Sequence, residues 1–182
     1  MRLLKRLLLT SFCILLAVFA SCAGNAGVIS DAPVKAIVED IVSDYTSGDG
    51  FLFSADATEE GEYLDEDLIS TYYGNGEKVP DFSEVGDYCV YIDETNAREM
   101  CEVGLFRMKS GADKQDFESY LKNRIAIRLS NAKSYPDINK STLKAAKFGI
   151  VGDYVYYAVV KDASADIGRR IDLLLHGGNP EA

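Results

Sequence analysis

The fold is decided by residues 143–160, which read LKAAKFGIVGDYVYYAVV. Two apolar runs, 143–151 and 154–160, flank Gly152-Asp153, and a two-residue connection that begins with glycine is typical of a β-hairpin. Both faces of the second run carry apolar or aromatic side chains, which is the pattern of a strand covered on both sides. The sequence therefore predicts an antiparallel hairpin whose second strand lies inside a packed sheet.

A matching hairpin and a long helix precede this stretch. Residues 87–92 and 100–108 are predicted to form two strands joined by a turn at 93–97. A helix opens at 110–113, and Pro136 disfavours its continuation. Apolar residues at helical spacing mark its buried face: Phe117, Leu121, Ile125 and Ala132, with Leu129 beside them.

Three further helices follow from the same periodicity and complete the fold class. The first is capped at Ser30-Asp31 with Pro33 in its first turn, a short one spans 64–73, and the last begins after Asp162. The predicted order is α–α–β–β–α–β–β–α. Hairpins separated by helices indicate an α+β fold, in which an antiparallel sheet of two hairpins (a ββαββα core) carries the helices, within a single domain over residues 31–182.

The N-terminus has the layout of a secretory signal peptide. Arg2, Lys5 and Arg6 precede an apolar run over residues 7–20, and small residues follow up to Cys22. The run has 14 residues, which is shorter than the roughly 20 that a membrane-spanning helix needs. We therefore expect export of the chain from the cytoplasm.

Cys22 sharpens this prediction. Phe19-Ala20-Ser21-Cys22 resembles the lipobox of bacterial lipoproteins, in which the signal peptide is cut before a lipid-modified cysteine. The resemblance implies a signal peptide over residues 1–21, a diacylglyceryl group on Cys22, a flexible tether over 22–30 and attachment to the extracytoplasmic face of the cell membrane. The alternative is an ordinary signal peptide cut after Ala20, with Cys22 left as a free or bridged thiol.

The charge of the chain limits its partners. Removal of three basic residues with the signal peptide leaves 16 basic and 29 acidic residues, a net charge of −13. Such a chain is a poor match for nucleic acid, which needs basic patches. It should also be repelled by anionic lipid headgroups, so the anchor would have to hold it at the membrane.

Two cysteines remain in the predicted domain, Cys89 and Cys101. Exported proteins can form disulfides, and a hairpin turn centred on Thr95 would place the two cysteines directly opposite each other. The sequence therefore allows a Cys89–Cys101 disulfide. The alternative is a pair of buried thiols that pack as small apolar side chains.

Few residues have the pattern of a catalytic or metal site. The single histidine, His176, lies at the end of the last helix, where it suits the helix C-terminus. This placement argues against Ser-His-Asp and Cys-His catalysis and against histidine-based zinc sites. No catalytic residue, metal or cofactor is predicted.

One acidic loop has a weak resemblance to a calcium loop. The residues at positions 1, 3, 5, 6 and 12 of an EF-hand-like spacing are Asp56, Thr58, Glu60, Gly61 and Asp67. Two of these residue types are not the preferred ones, and no flanking helix pair is predicted. A solvated acidic loop is the simpler interpretation.

Two other groups are candidates for contacts with a ligand or partner. Arg124 and Arg128 lie four residues apart on the long helix, where they could bind an anionic ligand or form a solvated edge. Tyr154, Tyr156 and Tyr157 would form an aromatic binding surface if they were exposed, and core packing is the alternative.

The second half of the chain resembles a known family. The matching motifs are Glu102-Val103-Gly104-Leu105-Phe106-Arg107, Leu121-Lys122-Asn123-Arg124, Tyr135-Pro136-Asp137 and Gly152-Asp153-Tyr154-Val155. In this order they resemble the clostridial lipoprotein group filed as a domain of unknown function, the four-three-five-eight family. That family has no established activity. Because its members are sometimes encoded beside membrane O-acyltransferases of envelope polymers, the resemblance implies an accessory role in the cell envelope.

The sequence thus favours a lipid-anchored binding or accessory module whose partner is an envelope protein or polymer. Two alternatives stay open. One is a small envelope hydrolase or transferase that uses carboxylates, and the other is a calcium-dependent adhesion or scaffold domain.

Overall fold

A computed structural model describes residues 33–45, 50–93, 100–135, 137–161 and 167–178. The predicted signal peptide, Cys22 and the predicted tether lie outside these residues, as does the turn at 94–99. Among the described residues, no helix is both long and apolar enough to cross a membrane.

The helices and strands follow one another in nearly the order that the sequence predicts. The helices are α1 Val34–Ser43, α2 Glu66–Tyr73, α3 Lys114–Asn131, α4 Lys140–Lys144 and α5 Ile167–Leu175. The strands are β1 Phe51–Ser54, β2 Val85–Asp93, β3 Cys101–Met108, β4 Lys147–Val151 and β5 Tyr154–Val159, and a 3-10 turn over Phe82–Glu84 precedes β2.

The five strands form one antiparallel sheet in the order β1-β2-β3-β5-β4. This arrangement confirms the predicted α+β class and both predicted hairpins. The sheet is wider than two hairpins, because β1 pairs with β2 and adds an edge strand. The exact ββαββα core is therefore not confirmed, since β1 joins the sheet and the short helix α4 lies between α3 and β4.

Helices cover both faces of the sheet. Helices α1 and α5 pack on the face that carries Val103 and Leu105 of β3, and α2, α3 and α4 pack on the face that carries Phe106. Every residue of β5 is buried, and this strand lies between β3 and β4. The prediction of a strand covered on both sides is confirmed.

The β4–β5 hairpin turns where the sequence predicts. Val151 pairs with Tyr154, and Gly152 adopts a φ of 57°, a backbone conformation that favours glycine. The predicted first strand is too long, however, because residues 140–144 form α4. The Asn139 side chain caps this turn of helix by accepting hydrogen bonds from the backbone of Ser141 and Thr142.

Side-chain caps fix where helices α2 and α3 begin. Asp113 accepts a hydrogen bond of 3.0 Å from the backbone N–H of Asp116 at the start of α3. Asp65 accepts one of 2.8 Å from the backbone N–H of Leu68 at the start of α2. The predicted buried face of α3 is confirmed, since Phe117, Leu121, Ile125 and Ala132 all lie in the core.

Candidate functional site

A buried cluster of charged and phenolic side chains lies between β3, β5, α2 and α3. Its centre is Glu102 of β3, whose side chain is 1% exposed. Tyr157 donates a hydrogen bond of 2.6 Å to Glu102 Oε1, and the Tyr73 and Tyr157 hydroxyl oxygens lie 3.2 Å apart. Arg124 Nε also donates to Oε1, and Arg128 Nη1 donates to Oε2. We call these five residues the Glu102 cluster.

The backbone explains how these side chains meet. Arg124 and Arg128 lie one helical turn apart on α3, so both reach the same carboxylate. Tyr157 is paired with Gly104, which lies on β3 two residues from Glu102. A Cβ atom at Gly104 would lie 2.3 Å from Cε1 of the Tyr157 ring. Glycine at this position therefore leaves room for the ring to extend toward Glu102.

The cluster is ionised at its centre. Burial alone would raise the pKa of Glu102, but the charges of Arg124 and Arg128 and the hydrogen bonds from Arg124 and Tyr157 hold this pKa below its ordinary value. Burial would lower the pKa of Arg124, and the Glu102 carboxylate instead raises it well above its ordinary value. Burial and the nearby carboxylate together raise the pKa of Tyr157. Glu102 is thus an ionised carboxylate that accepts hydrogen bonds from Arg124, Arg128 and Tyr157.

This arrangement changes the interpretation of the two arginines. The sequence offered Arg124 and Arg128 as contacts for an external anion or as a solvated edge, whereas both side chains bind Glu102. The Arg124 guanidinium is buried and its carbon lies 4.3 Å from the centre of the Tyr72 ring. Its Nη2 atom has no hydrogen-bond partner among the residues that the structure describes. Sequence reasoning did not single out Glu102 as the partner of the two arginines, although a carboxylate within a mostly apolar strand was the available signal.

The tyrosines of β5 do not form a binding surface. Tyr154, Tyr156 and Tyr157 are all buried, because helices cover both faces of this strand. The expectation of surface contacts by these residues is therefore wrong, and the alternative of core packing holds.

The two cysteines are free thiols in the core. Cys89 is paired with Leu105, and Cys101 is paired with Asp93, so the cysteines lie four residues apart along the ladder instead of opposite each other. Four residues of a strand span about 13 Å, which is too far for a disulfide. Burial raises the pKa of each thiol to about 12. The structure therefore contradicts the Cys89–Cys101 bridge.

A groove lined by lysines lies between α3 and α4. It has a volume of about 440 Å³. Its lining residues are Ala126, Leu129, Ser130, Lys133, Lys140 and Lys144. We call this surface the lysine groove. Sequence reasoning missed it, although residues 133–147 contain four lysines and a single aspartate in an acidic chain.

A second, smaller concavity of about 160 Å³ is acidic and aromatic. Its lining residues are Pro80, Asp81, Glu84, Asp113, Asp116, Phe117 and Tyr120. Asp81 and Asp113 act as caps, since each accepts a hydrogen bond from a backbone N–H. Hydrogen bonds from the Ser83 side chain and backbone hold the pKa of Asp81 below its ordinary value.

The remaining candidates have local roles. His176 Nδ1 lies 2.7 Å from the backbone oxygen of Asp172, one turn earlier in α5, which confirms its predicted contact with the helix end. In the acidic loop that weakly resembles a calcium loop, Asp56 accepts a hydrogen bond from the Ser54 hydroxyl. The described residues contain no group of three or more histidine, cysteine, aspartate or glutamate side chains that could hold a metal ion.

Comparisons with known proteins bear on the family alone. Searches of curated proteins and of solved structures found no match. A family model described as "Domain of unknown function (DUF4358)" matches residues 80–160, from the segment before β2 to the end of β5. The match contains Glu102, both cluster arginines and the lysine groove, and the lipoprotein character of the chain stays a prediction. The match over residues 80–160 thus confirms the predicted resemblance to this family.

Proposed function

We propose that this protein is a lipid-anchored binding or accessory module of the bacterial cell envelope. A diacylglyceryl group on Cys22 would hold it on the extracytoplasmic face of the membrane, where it would act on an envelope protein or polymer. The signal-peptide pattern over residues 1–21 and the lipobox resemblance support the anchoring. Two acyl chains are enough for stable attachment.

The observation that carries the choice of a binding module is the state of Glu102. A catalytic acid needs a raised pKa, and a carboxylate nucleophile needs access to its substrate. Glu102 is buried, its pKa is lowered, and three donors occupy its oxygens. Such a carboxylate suits a structural role that fixes α3 on the sheet, and it leaves the outer surface of α3 for contacts with a partner.

The acidic concavity favours the runner-up, a hydrolase or transferase that uses carboxylates. Four carboxylates converge there beside two aromatic rings. The lowered pKa of Asp81 is the opposite of what a general acid requires, and Asp113 is engaged in capping α3. We therefore rank this function second. The calcium-dependent adhesion domain has no comparable support, because the described residues hold no cluster of metal ligands.

Anchoring is tested by fractionation of cells that express Cys22→Ala. We expect this variant to leave the membrane fraction after a carbonate wash, because it lacks the sulfur that carries the lipid. Cys13→Ala is the matched control, since Cys13 lies within the predicted signal peptide and should be removed with it. Retention of Cys22→Ala in washed membranes would show that something other than this lipid holds the protein.

The binding role is tested by crosslinking the anchored protein in cells and identifying captured molecules by mass spectrometry. A single recurrent envelope protein or polymer, captured by the wild type and lost when the exposed side of α3 is altered, is the expected result. Capture without a recurrent partner, together with hydrolysis of an envelope substrate that Asp116→Asn abolishes, would favour the enzyme instead.

A further inference from the structure

The lysine groove is a basic surface on an acidic protein. In the part of the chain that the structure describes, none of Lys133, Lys140 and Lys144 forms an ion pair with a carboxylate. Other lysines are paired: Lys114 lies 2.7 Å from Asp153, and Lys122 lies 2.7 Å from Glu118. The groove therefore holds three exposed ammonium groups whose charge is available to a partner.

The groove also offers apolar contact between these charges. Leu129 and Ala126 line it together with the aliphatic stems of the lysines. Tyr135, which follows Lys133 by two residues, is 62% exposed. Lysine, tyrosine and aliphatic side chains together are the combination found where proteins meet the headgroup region of a bilayer. Phosphate headgroups would pair with the ammonium groups, and the apolar surface would contact the glycerol and upper acyl region.

We propose that the lysine groove docks onto the anionic phospholipid headgroups of the membrane that carries the protein. The inference deepens the proposed function and depends on the anchor at Cys22. Eleven residues lie between Cys22 and Val34, the start of α1, and this length of chain spans at most about 40 Å. A domain of this size has a radius of gyration of about 15 Å. The anchored domain therefore stays beside the bilayer, and several of its faces could approach the lipid.

The distribution of charge decides which face of the anchored domain approaches an anionic membrane. The mature chain carries 16 basic and 29 acidic residues, so most of its surface is repelled by an anionic membrane. Among the described residues, the lysine groove is a surface that such a membrane attracts, because three ammonium groups act together there. Docking would turn α4 and the C-terminal end of α3 toward the lipid and would leave the rest of α3 and the acidic faces available to an envelope partner.

The test compares the reactivity of individual lysines on two membranes. The mature chain, residues 22–182, is coupled through the Cys22 thiol to a maleimide lipid, so the result does not depend on natural lipidation. One set of vesicles contains phosphatidylcholine alone, and the other contains equal parts of phosphatidylcholine and phosphatidylglycerol. A water-soluble acetylating reagent labels the lysines, and mass spectrometry quantifies each site. Lys109, an exposed lysine near the other end of α3, is the internal control.

We expect Lys133, Lys140 and Lys144 to be acetylated at least about threefold more slowly on the anionic vesicles, with Lys109 unchanged. High salt should remove this protection because it screens the headgroup charge. Equal labelling on both vesicles would overturn the docking proposal. Protection by a soluble polyglycerol phosphate but not by phosphatidylglycerol would also overturn it and would assign the groove to an envelope polymer. Failure of the anchor is a separate outcome, which the Cys22→Ala fractionation detects.

Discussion

The hydroxyl of Tyr157 donates a hydrogen bond of 2.6 Å to the carboxylate of Glu102 across two neighbouring strands. The residue paired with Tyr157 is Gly104, and the Tyr157 ring occupies the space that a side chain at Gly104 would fill. The glycine at position 104 and the buried charge of Glu102, both on β3, are thus parts of one arrangement. Its stability depends on both, which leads to the first three predictions.

Gly104→Ala should destabilise the domain by displacing the Tyr157 ring. The added Cβ would lie 2.3 Å from a ring carbon, so either the ring or the strand has to move. Overpacking of this kind costs about 1–3 kcal/mol, and the Tyr157–Glu102 hydrogen bond should be weakened as well. Urea unfolding followed by circular dichroism measures the loss of unfolding free energy.

Gly86→Ala is the matched control for that measurement. Gly86 lies on β2, and a Cβ there would have its nearest neighbour at 3.4 Å, an ordinary van der Waals contact. We expect a change within about 0.5 kcal/mol. Equal effects of the two substitutions would show that the close approach of the Tyr157 ring is unimportant.

Tyr157→Phe should destabilise the domain with little change in packing. The substitution removes one donor from a buried carboxylate and leaves the Tyr73 hydroxyl without its partner in the cluster. Loss of a hydrogen bond to a charged group costs about 1.5–3 kcal/mol. Tyr135→Phe, at an exposed position, is the control and should be nearly neutral. A neutral result for Tyr157→Phe would mean that the hydroxyl contributes nothing to the cluster.

Glu102→Gln should remove a defined part of the acid sensitivity of the protein. The pKa of Glu102 is lowered in the folded state, so its contribution to stability is present above the unfolded value, about 4.5, and is lost as the pH falls through the folded value. Above pH 5 the variant should be less stable by about 3–5 kcal/mol, because two arginines lose their buried counter-charge.

The measurement is the difference in unfolding free energy between wild type and Glu102→Gln as a function of pH. This difference should be constant from pH 7 to about 5 and should shrink below about 4.5 as the wild-type carboxylate becomes protonated. A difference that grows in acid would contradict the lowered pKa.

The sequence predictions are accurate where the interacting residues are close in sequence and fail where they are far apart in sequence. Periodic apolar residues and caps are local signals, which is why α3 and the Gly152-Asp153 turn were correctly predicted. The role of Glu102 depends on which residues of α3 meet β3, and no local pattern encodes that contact. Strand register is also non-local: a turn centred on Thr95 would pair Cys101 with Cys89, whereas the structure pairs Cys101 with Asp93. This difference of four residues in the pairing separates the two cysteines.

Cys89 and Cys101 should resist thiol reagents in the native protein. Both are buried, and burial raises the pKa of each to about 12, so almost no thiolate is present at neutral pH. We expect alkylation of both sites only after unfolding, and no change in melting temperature on addition of a reducing agent. Peptide mapping distinguishes these sites from Cys22. A native disulfide-linked peptide containing both residues would contradict the observed register.

Arg170 should contribute more to stability than an ordinary surface ion pair, because it joins two helices. From α5 it donates hydrogen bonds to the Asp40 carboxylate, at 2.9 Å, to the Asp40 backbone oxygen, at 3.2 Å, and to the Asp44 carboxylate. Its side chain is 18% exposed, whereas both aspartates are about half exposed, so solvent screens each single contact. Arg170→Gln should therefore cost about 1 kcal/mol, since several contacts are lost together.

Lys122→Gln provides the comparison. Lys122 pairs with Glu118 on the same helix at 2.7 Å, and an exposed pair of this spacing contributes about 0.3–0.5 kcal/mol. Because α1 and α5 pack on the same face of the sheet, the loss of Arg170 should also speed amide hydrogen exchange in α5 at moderate salt, while Lys122→Gln should leave that exchange unchanged. Equal effects of the two substitutions on stability and exchange would show that the contacts between α1 and α5 act no differently from a single pair within one helix.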